Sequence, residues 1–93
     1  MWPFGGSKHN GRQLVEGGAL LLDVRTPEEF RDRHLDGAVN IPVQELAGRV
    51  RELGAKDRPV VVYCRSGGRS ASAATVLKSA GYEVHDIGGI GNW

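Results

Sequence analysis

Cys64 is the only thiol in the 93-residue sequence. A cysteine closing an apolar run is by itself more commonly a small buried hydrophobe than a nucleophile, but the residues after it change that reading. Cys64-Arg65-Ser66-Gly67-Gly68-Arg69-Ser70 leaves an apolar run and enters a stretch of helical period. Its two glycines let the backbone curl so that successive N–H groups turn inward. The first N–H groups of a helix opening near Ser70 lack partners within the helix and carry the positive end of its dipole. Together these features predict a cradle for an anion.

Arg65 and Arg69 flank that loop, and no acidic residue occurs between Arg58 and Glu83, so the local field reads as positive. A free thiol titrates near about 8.5, and helix ends and cations can bring it down to about 3.5–7.5. Cys64 is therefore expected to be a thiolate near neutral pH, a preformed nucleophile with no need of an adjacent histidine base, in a pocket open to solvent that also binds an anionic substrate. Cys64 is the candidate catalytic residue, and Arg65, Ser66, Gly67, Gly68, Arg69 and Ser70 are the candidate substrate-binding residues.

Other residues able to do chemistry have blander explanations. Arg25 is expected to form a structural ion pair with Asp23 or Glu29, and is left out of the site. His34 reads as a turn residue with a satisfied ring, and His9 falls in the N-terminal segment. His9, His34, His85 and Cys64 lack metal-ligand spacing, so neither a metal nor a cofactor is expected. Gly88-Gly89-Ile90-Gly91 follows a strand with no helix to present to a pyrophosphate, which argues against a dinucleotide site. Glu28 and Glu29 are explained by a helix start, and Trp93 by packing.

The elements that must position the loop follow from hydrophobic period and from glycine and proline punctuation. Ala19–Val24 reads as a buried strand. Thr26, Pro27 and Glu29 then spell a capping box with proline at the first helical position. Ala38–Ile41 reads as a short strand ended by Pro42. Val43, Leu46, Ala47, Val50 and Leu53 share a helical face that Gly54 stops. Val60–Tyr63 carries no charge and reads as the central strand, covered on both faces, with Cys64 at its end. Ala73, Val76, Leu77 and Ala80 line a further helix, with Gly81 where a left-handed cap is wanted, and Tyr82–Ile87 reads as the last strand. The alternation predicts an α/β fold, a mainly parallel central sheet with helices on both faces. In such sheets ligands bind beyond the carboxyl ends of the strands, so Val24-Arg25 and Tyr63-Cys64 should share one rim.

Asp23-Val24-Arg25, Thr26–Phe30, His34–Pro42, Val60–Ser70 and Gly88-Gly89 ending in Trp93 together resemble the single-domain rhodanese family over roughly residues 12–93. The resemblance implies a thiosulfate sulfurtransferase: Cys64 takes sulfane sulfur from thiosulfate or a similar small anionic donor, holds it as a persulfide, and passes it to cyanide or a thiol acceptor. It also implies that the backbone from Arg65 to Ser70 cradles the persulfide, with Arg65 and Arg69 favouring the anion. Cell-cycle tyrosine phosphatases and some arsenate reductases have a similar fold but place five residues between cysteine and arginine. Here four separate Cys64 from Arg69, and the resemblance implies that this shorter loop suits sulfur better than a phosphoryl group. A non-enzymatic persulfide carrier, docking one partner protein through Trp2 and Phe4, is the alternative of a different class. Many family members carry a short strand and helix before the Asp23 region, where only Gly11–Glu16 can form a brief helix here. Relatives also often continue into a further helix past the position of Trp93, so one sheet face is expected to be thinly covered.

With 40% hydrophobic and 25% charged residues the chain reads as one packed domain over residues 11–93, preceded by a flexible tail at 1–10. A net charge of +1 supplies no long-range field for nucleic acid or membrane. One thiol excludes an intrachain disulfide and suggests a reducing, cytoplasmic setting. No wholly apolar stretch, Ala19–Leu22 included, is long enough to span a bilayer. Monomer and homodimer both remain open.

Overall fold

The computed structural model describes residues 10–93, so the expected tail, with Trp2, Phe4 and His9, lies outside the described residues except for Asn10. The chain runs α1 (Gly11–Glu16), β1 (Leu20–Asp23), α2 (Pro27–Asp32), β2 (Val39–Asn40), α3 (Val43–Arg49), a 3₁₀ turn (Val50–Leu53), β3 (Val60–Cys64), α4 (Gly68–Ser79), β4 (Val84–Gly89) and a 3₁₀ turn (Ile90–Asn92). The strands form one sheet in the order β2-β1-β3-β4, with every pair parallel.

β3 lies between β1 and β4 and is buried along its whole length. Its side chains alternate between two cores, as a strand period of two requires. Val60, Val62 and Cys64 join Leu22, Val24 and Ile41 beneath α3 and α4, which contribute Leu46, Ala73 and Leu77. Val61 and Tyr63 join Leu14 of α1, Leu21, Leu35 and Ile87, with Trp93 packed at the margin. Helical cover thus lies on both faces, and among the described residues that of the second face is the six residues of α1 and the terminal turn, the thin cover expected. Arg12 lies over the Trp93 ring, 5.3 Å from its centroid, and the packing role expected of Trp93 holds.

Two local motifs form as the sequence predicts. The Thr26 hydroxyl accepts from Glu29 N at 3.1 Å, and Glu29 Oε1 accepts from Thr26 N at 2.9 Å. At the end of α4, Gly81 adopts φ +100°, and the paired bonds Tyr82 N to Leu77 O (3.1 Å) and Gly81 N to Lys78 O (3.0 Å) close a Schellman cap.

Five elements have bounds that differ from expectation. β1 and β2 are shorter than the apolar runs, since Ala19 N is bonded to Leu14 O behind α1 and Ile41 N to Asp23 O beyond the β2 pairing. The helix from Val43 becomes a 3₁₀ turn at Val50, where Arg49 at φ −123° departs from helical geometry, and Gly54 at φ +82° ends it. The helix after Cys64 opens at Gly68, not near Ser70, because Gly67 turns the chain through φ +115°. The last strand begins at Val84 and runs through Gly89, with a register shift that places Asp86 opposite Val62 and Gly88 opposite Tyr63. Asp23 pairs in register with Tyr63, so the ends of β1 and β3 share the rim expected of them. No helix among the described residues is long and apolar enough to cross a membrane.

Candidate active site

The central strand delivers Cys64 to the sheet rim, and the chain folds back over its sulfur. Gly67 N donates to Cys64 Sγ at 2.9 Å. Ser70, fully buried in the first turn of α4, places its Oγ 3.4 Å from the sulfur. The same hydroxyl reaches Gly67 O at 3.2 Å and Gly88 O at 3.5 Å. Its proton can therefore turn toward the sulfur when that atom carries charge, and toward a main-chain carbonyl when it does not. Burial pushes the Cys64 thiol up, but the Ser70 hydroxyl and the N–H groups of Ser70, Gly67 and Ser66 outweigh it, so the thiol titrates below its ordinary value.

Exposure differs from the open pocket expected. Cys64 is 1% exposed, whereas Arg65, Ser66 and Gly68 face solvent. The reason is the curl itself: Gly67 and Ser70 close over the sulfur, leaving it at the floor of the loop. A cleft of about 310 Å³ lies beside the loop, lined by Arg25, Glu29, Asp32, Arg33, Arg65 and Ile90.

Glycine conformation and close approach hold the loop in this shape. Gly67 sits in the left-handed region, which favours glycine. At the end of β4, a Cβ on Gly89 would stand 2.7 Å from Arg65 O. Gly88, at φ +79°, donates its N–H to Asp86 Oδ1 at 2.8 Å. The glycine pair therefore forms a wall of the site, a role that the two residues do not announce in the sequence. The signals there are the pair's place in the family resemblance and its position at the end of a strand that neighbours the catalytic candidate.

The expectation of an unopposed positive field is corrected. Arg69 makes two bonds to Glu29, Nη1 to Oε1 at 2.7 Å and Nη2 to Oε2 at 3.1 Å, across 40 positions of sequence. The Arg69 guanidinium, helped by the Thr26 N–H, holds the Glu29 carboxyl at about 2. An acid-free stretch of sequence is not an acid-free environment, because the fold docks α2 against the start of α4. Glu29 does cap its helix as expected, and it also neutralises a cation of the loop.

Arg25 behaves as the sequence predicts. Its Nη2 lies 2.7 Å from Asp23 Oδ2, with side chains 7% and 0% exposed, and the same nitrogen donates to Arg33 O at 2.6 Å. The guanidinium also lies over the Tyr63 ring, 5.6 Å from its centroid, so the pair braces the rim. His34 stacks on Phe30, with centroids 3.8 Å apart and planes 8° from parallel. Its Nδ1 is bonded to Phe30 O at 2.7 Å, the satisfied ring expected. Among the described residues no group of three or more His, Cys, Asp or Glu is gathered as metal ligands would be.

A family model described as "Rhodanese-like domain" matches residues 8–93. The chain is 42% identical over 77 residues to "Uncharacterized protein YqhL" of Bacillus subtilis (strain 168), an alignment covering 81% of this chain and 60% of that protein. It is 38% identical over 71 residues to "Thiosulfate sulfurtransferase PspE" of Escherichia coli (strain K12), covering 74% and 68% respectively. The chain therefore spans less than two thirds of the first relative and slightly more of the second. Among solved structures it is similar to "rhodanese with anions from E. coli", with a TM-score of 0.76 and 35% identity over 82% of this chain and 92% of that one.

Proposed function

The chain belongs to the rhodanese-like domain family, and from that premise we propose that it is a sulfurtransferase in which Cys64 carries sulfane sulfur as a persulfide between a small anionic donor such as thiosulfate and a thiol or cyanide acceptor. The observation that carries this reading is the Cys64 sulfur at the end of the central strand, bonded to Gly67 N at 2.9 Å with Ser70 Oγ at 3.4 Å.

In the first step the Cys64 thiolate attacks the outer sulfur of thiosulfate. A new S–S bond forms, the donor S–S bond breaks, and sulfite leaves with its electron pair. Negative charge moves from Sγ to the terminal sulfur, where the N–H groups of Ser66, Gly67 and Ser70, which already act on Sγ, would receive it. Donors fixed in advance for a charge that develops during reaction need no reorganisation. In the second step cyanide carbon, or a thiolate sulfur, attacks the terminal sulfur and leaves Cys64 as thiolate again. The relay is two covalent half-reactions and should show ping-pong kinetics. Arg65, exposed at the mouth, is a cation available to an arriving anion.

Steady-state thiocyanate formation from thiosulfate and cyanide tests the proposal. Parallel lines in double-reciprocal plots and complete loss of turnover in Cys64→Ser support it. Turnover that survives Cys64→Ser refutes it.

A further inference from the structure

Glu29 occupies a position in the cleft that helix capping alone does not require. Its carboxylate is fixed by three donors, Thr26 N and both terminal nitrogens of Arg69, and it lines the same cleft as Arg65. The charges at the mouth can be assigned one by one. Arg25 is matched by Asp23 and Arg69 by Glu29. Arg33, Arg65 and Asp32 also line the cleft, two cations against one anion, and the Cys64 thiolate beneath the loop adds one further negative charge. Without the Glu29 charge, Arg69 would add one uncompensated positive charge beside the loop.

We propose that Glu29 is a specificity-determining residue of the donor site, and that by neutralising Arg69 it favours singly charged sulfane-sulfur donors of the thiosulfonate class over doubly charged ones such as thiosulfate. The inference rests on the sulfur-transfer reading above. The chemistry balances for both donors. Thiolate and thiosulfonate give persulfide and sulfinate, and thiolate and thiosulfate give persulfide and sulfite. In each case one S–S bond forms, one breaks, and the leaving group keeps the electron pair. The donors share the transferred atom and differ by one charge, so the field at the mouth is what separates them.

Glu29→Gln removes the charge and keeps a side-chain oxygen able to complete the capping box. Second-order loading rates of Cys64 would be measured at low salt with methanethiosulfonate and with thiosulfate, in the native protein and in the variant. A field effect scales with donor charge, so the variant should load from the monoanion about threefold faster and from the dianion by about the square of that factor, with both gains shrinking as salt is added. Arg69→Gln should do the reverse, slowing the dianion more than the monoanion. A change of equal size for both donors, or none, overturns the proposal, because a purely structural role does not read donor charge.

Alkylation of Cys64 by iodoacetate and by uncharged iodoacetamide, with no sulfur donor present, separates the two readings. The iodoacetate-to-iodoacetamide rate ratio should rise in Glu29→Gln. If the native protein loads sulfur from neither donor, sulfur transfer fails as the function, and an unchanged alkylation ratio independently sinks the role of Glu29.

Discussion

Gly89 stands so close to Arg65 that a Cβ at position 89 would lie 2.7 Å from the Arg65 carbonyl oxygen. The end of the last strand is pressed against the first peptide of the loop that wraps Cys64, and only the missing side chain allows it. Gly89 has an ordinary extended backbone, φ −82° and ψ 152°, so contact, not backbone freedom, requires glycine here.

Gly89→Ala should therefore displace the loop while the sheet persists. The expected cost is about 1–3 kcal/mol in denaturant unfolding, with a loss of sulfur loading far larger than that stability change explains. Gly18→Ala is the control: Gly18 sits at φ +113° with no atom within 4 Å of an added Cβ. It should lower stability through backbone strain alone and leave loading by the folded protein intact.

Ser70→Ala removes the hydroxyl that shares its proton between Cys64 Sγ, Gly67 O and Gly88 O. The Cys64 thiol should then titrate at higher pH, followed by thiolate absorbance, and the pH midpoint for alkylation should move up in parallel. Equal midpoints in the two proteins would show that the main-chain N–H groups alone set the thiol's charge.

The Glu29 carboxyl titrates at about 2 against an ordinary 4.5. A carboxyl depressed on folding contributes stability that is present above its unfolded value and lost as pH falls through the folded one. Native protein should therefore be more stable than Glu29→Gln above about pH 4.5, and the gap should close between there and about pH 2. Thermal unfolding of both proteins across that range reads the difference, and a gap independent of pH contradicts the pairing with Arg69.

Asp23 is fully buried and held by Arg25. Arg25→Leu leaves that carboxylate without its countercharge and should cost about 3–5 kcal/mol in chemical denaturation. Thr26→Ala, which removes one half of a partly exposed capping box, should cost about 1 kcal/mol.

What the sequence made legible was local. The capping box joins residues three apart, the Schellman cap needs one glycine after a periodic helix, and Asp23 and Arg25 are near neighbours on one strand end. The uncharged run Val60–Tyr63 announces a strand covered on both faces, and the loop after Cys64 shows its glycines. Less legible were contacts between distant segments. Glu29 explains itself as a helix-start residue, and nothing near it in the chain points to Arg69. Gly89 and Arg65 meet only because β4 lies beside β3, and the burial of Cys64 depends on where Gly67 and Ser70 come to rest. The helix starts as early as Gly68 because the left-handed turn at Gly67 completes the loop before the apolar period begins.

The central claim is that the loop's N–H groups hold Cys64 as a nucleophile and accommodate a second sulfur on it. Intact-mass measurement of the folded protein after incubation with thiosulfate tests this most directly. The account predicts a gain of one sulfur atom, reversed by cyanide and absent in Cys64→Ser. An unchanged mass in the native protein, or a gain that persists without the thiol, would contradict it.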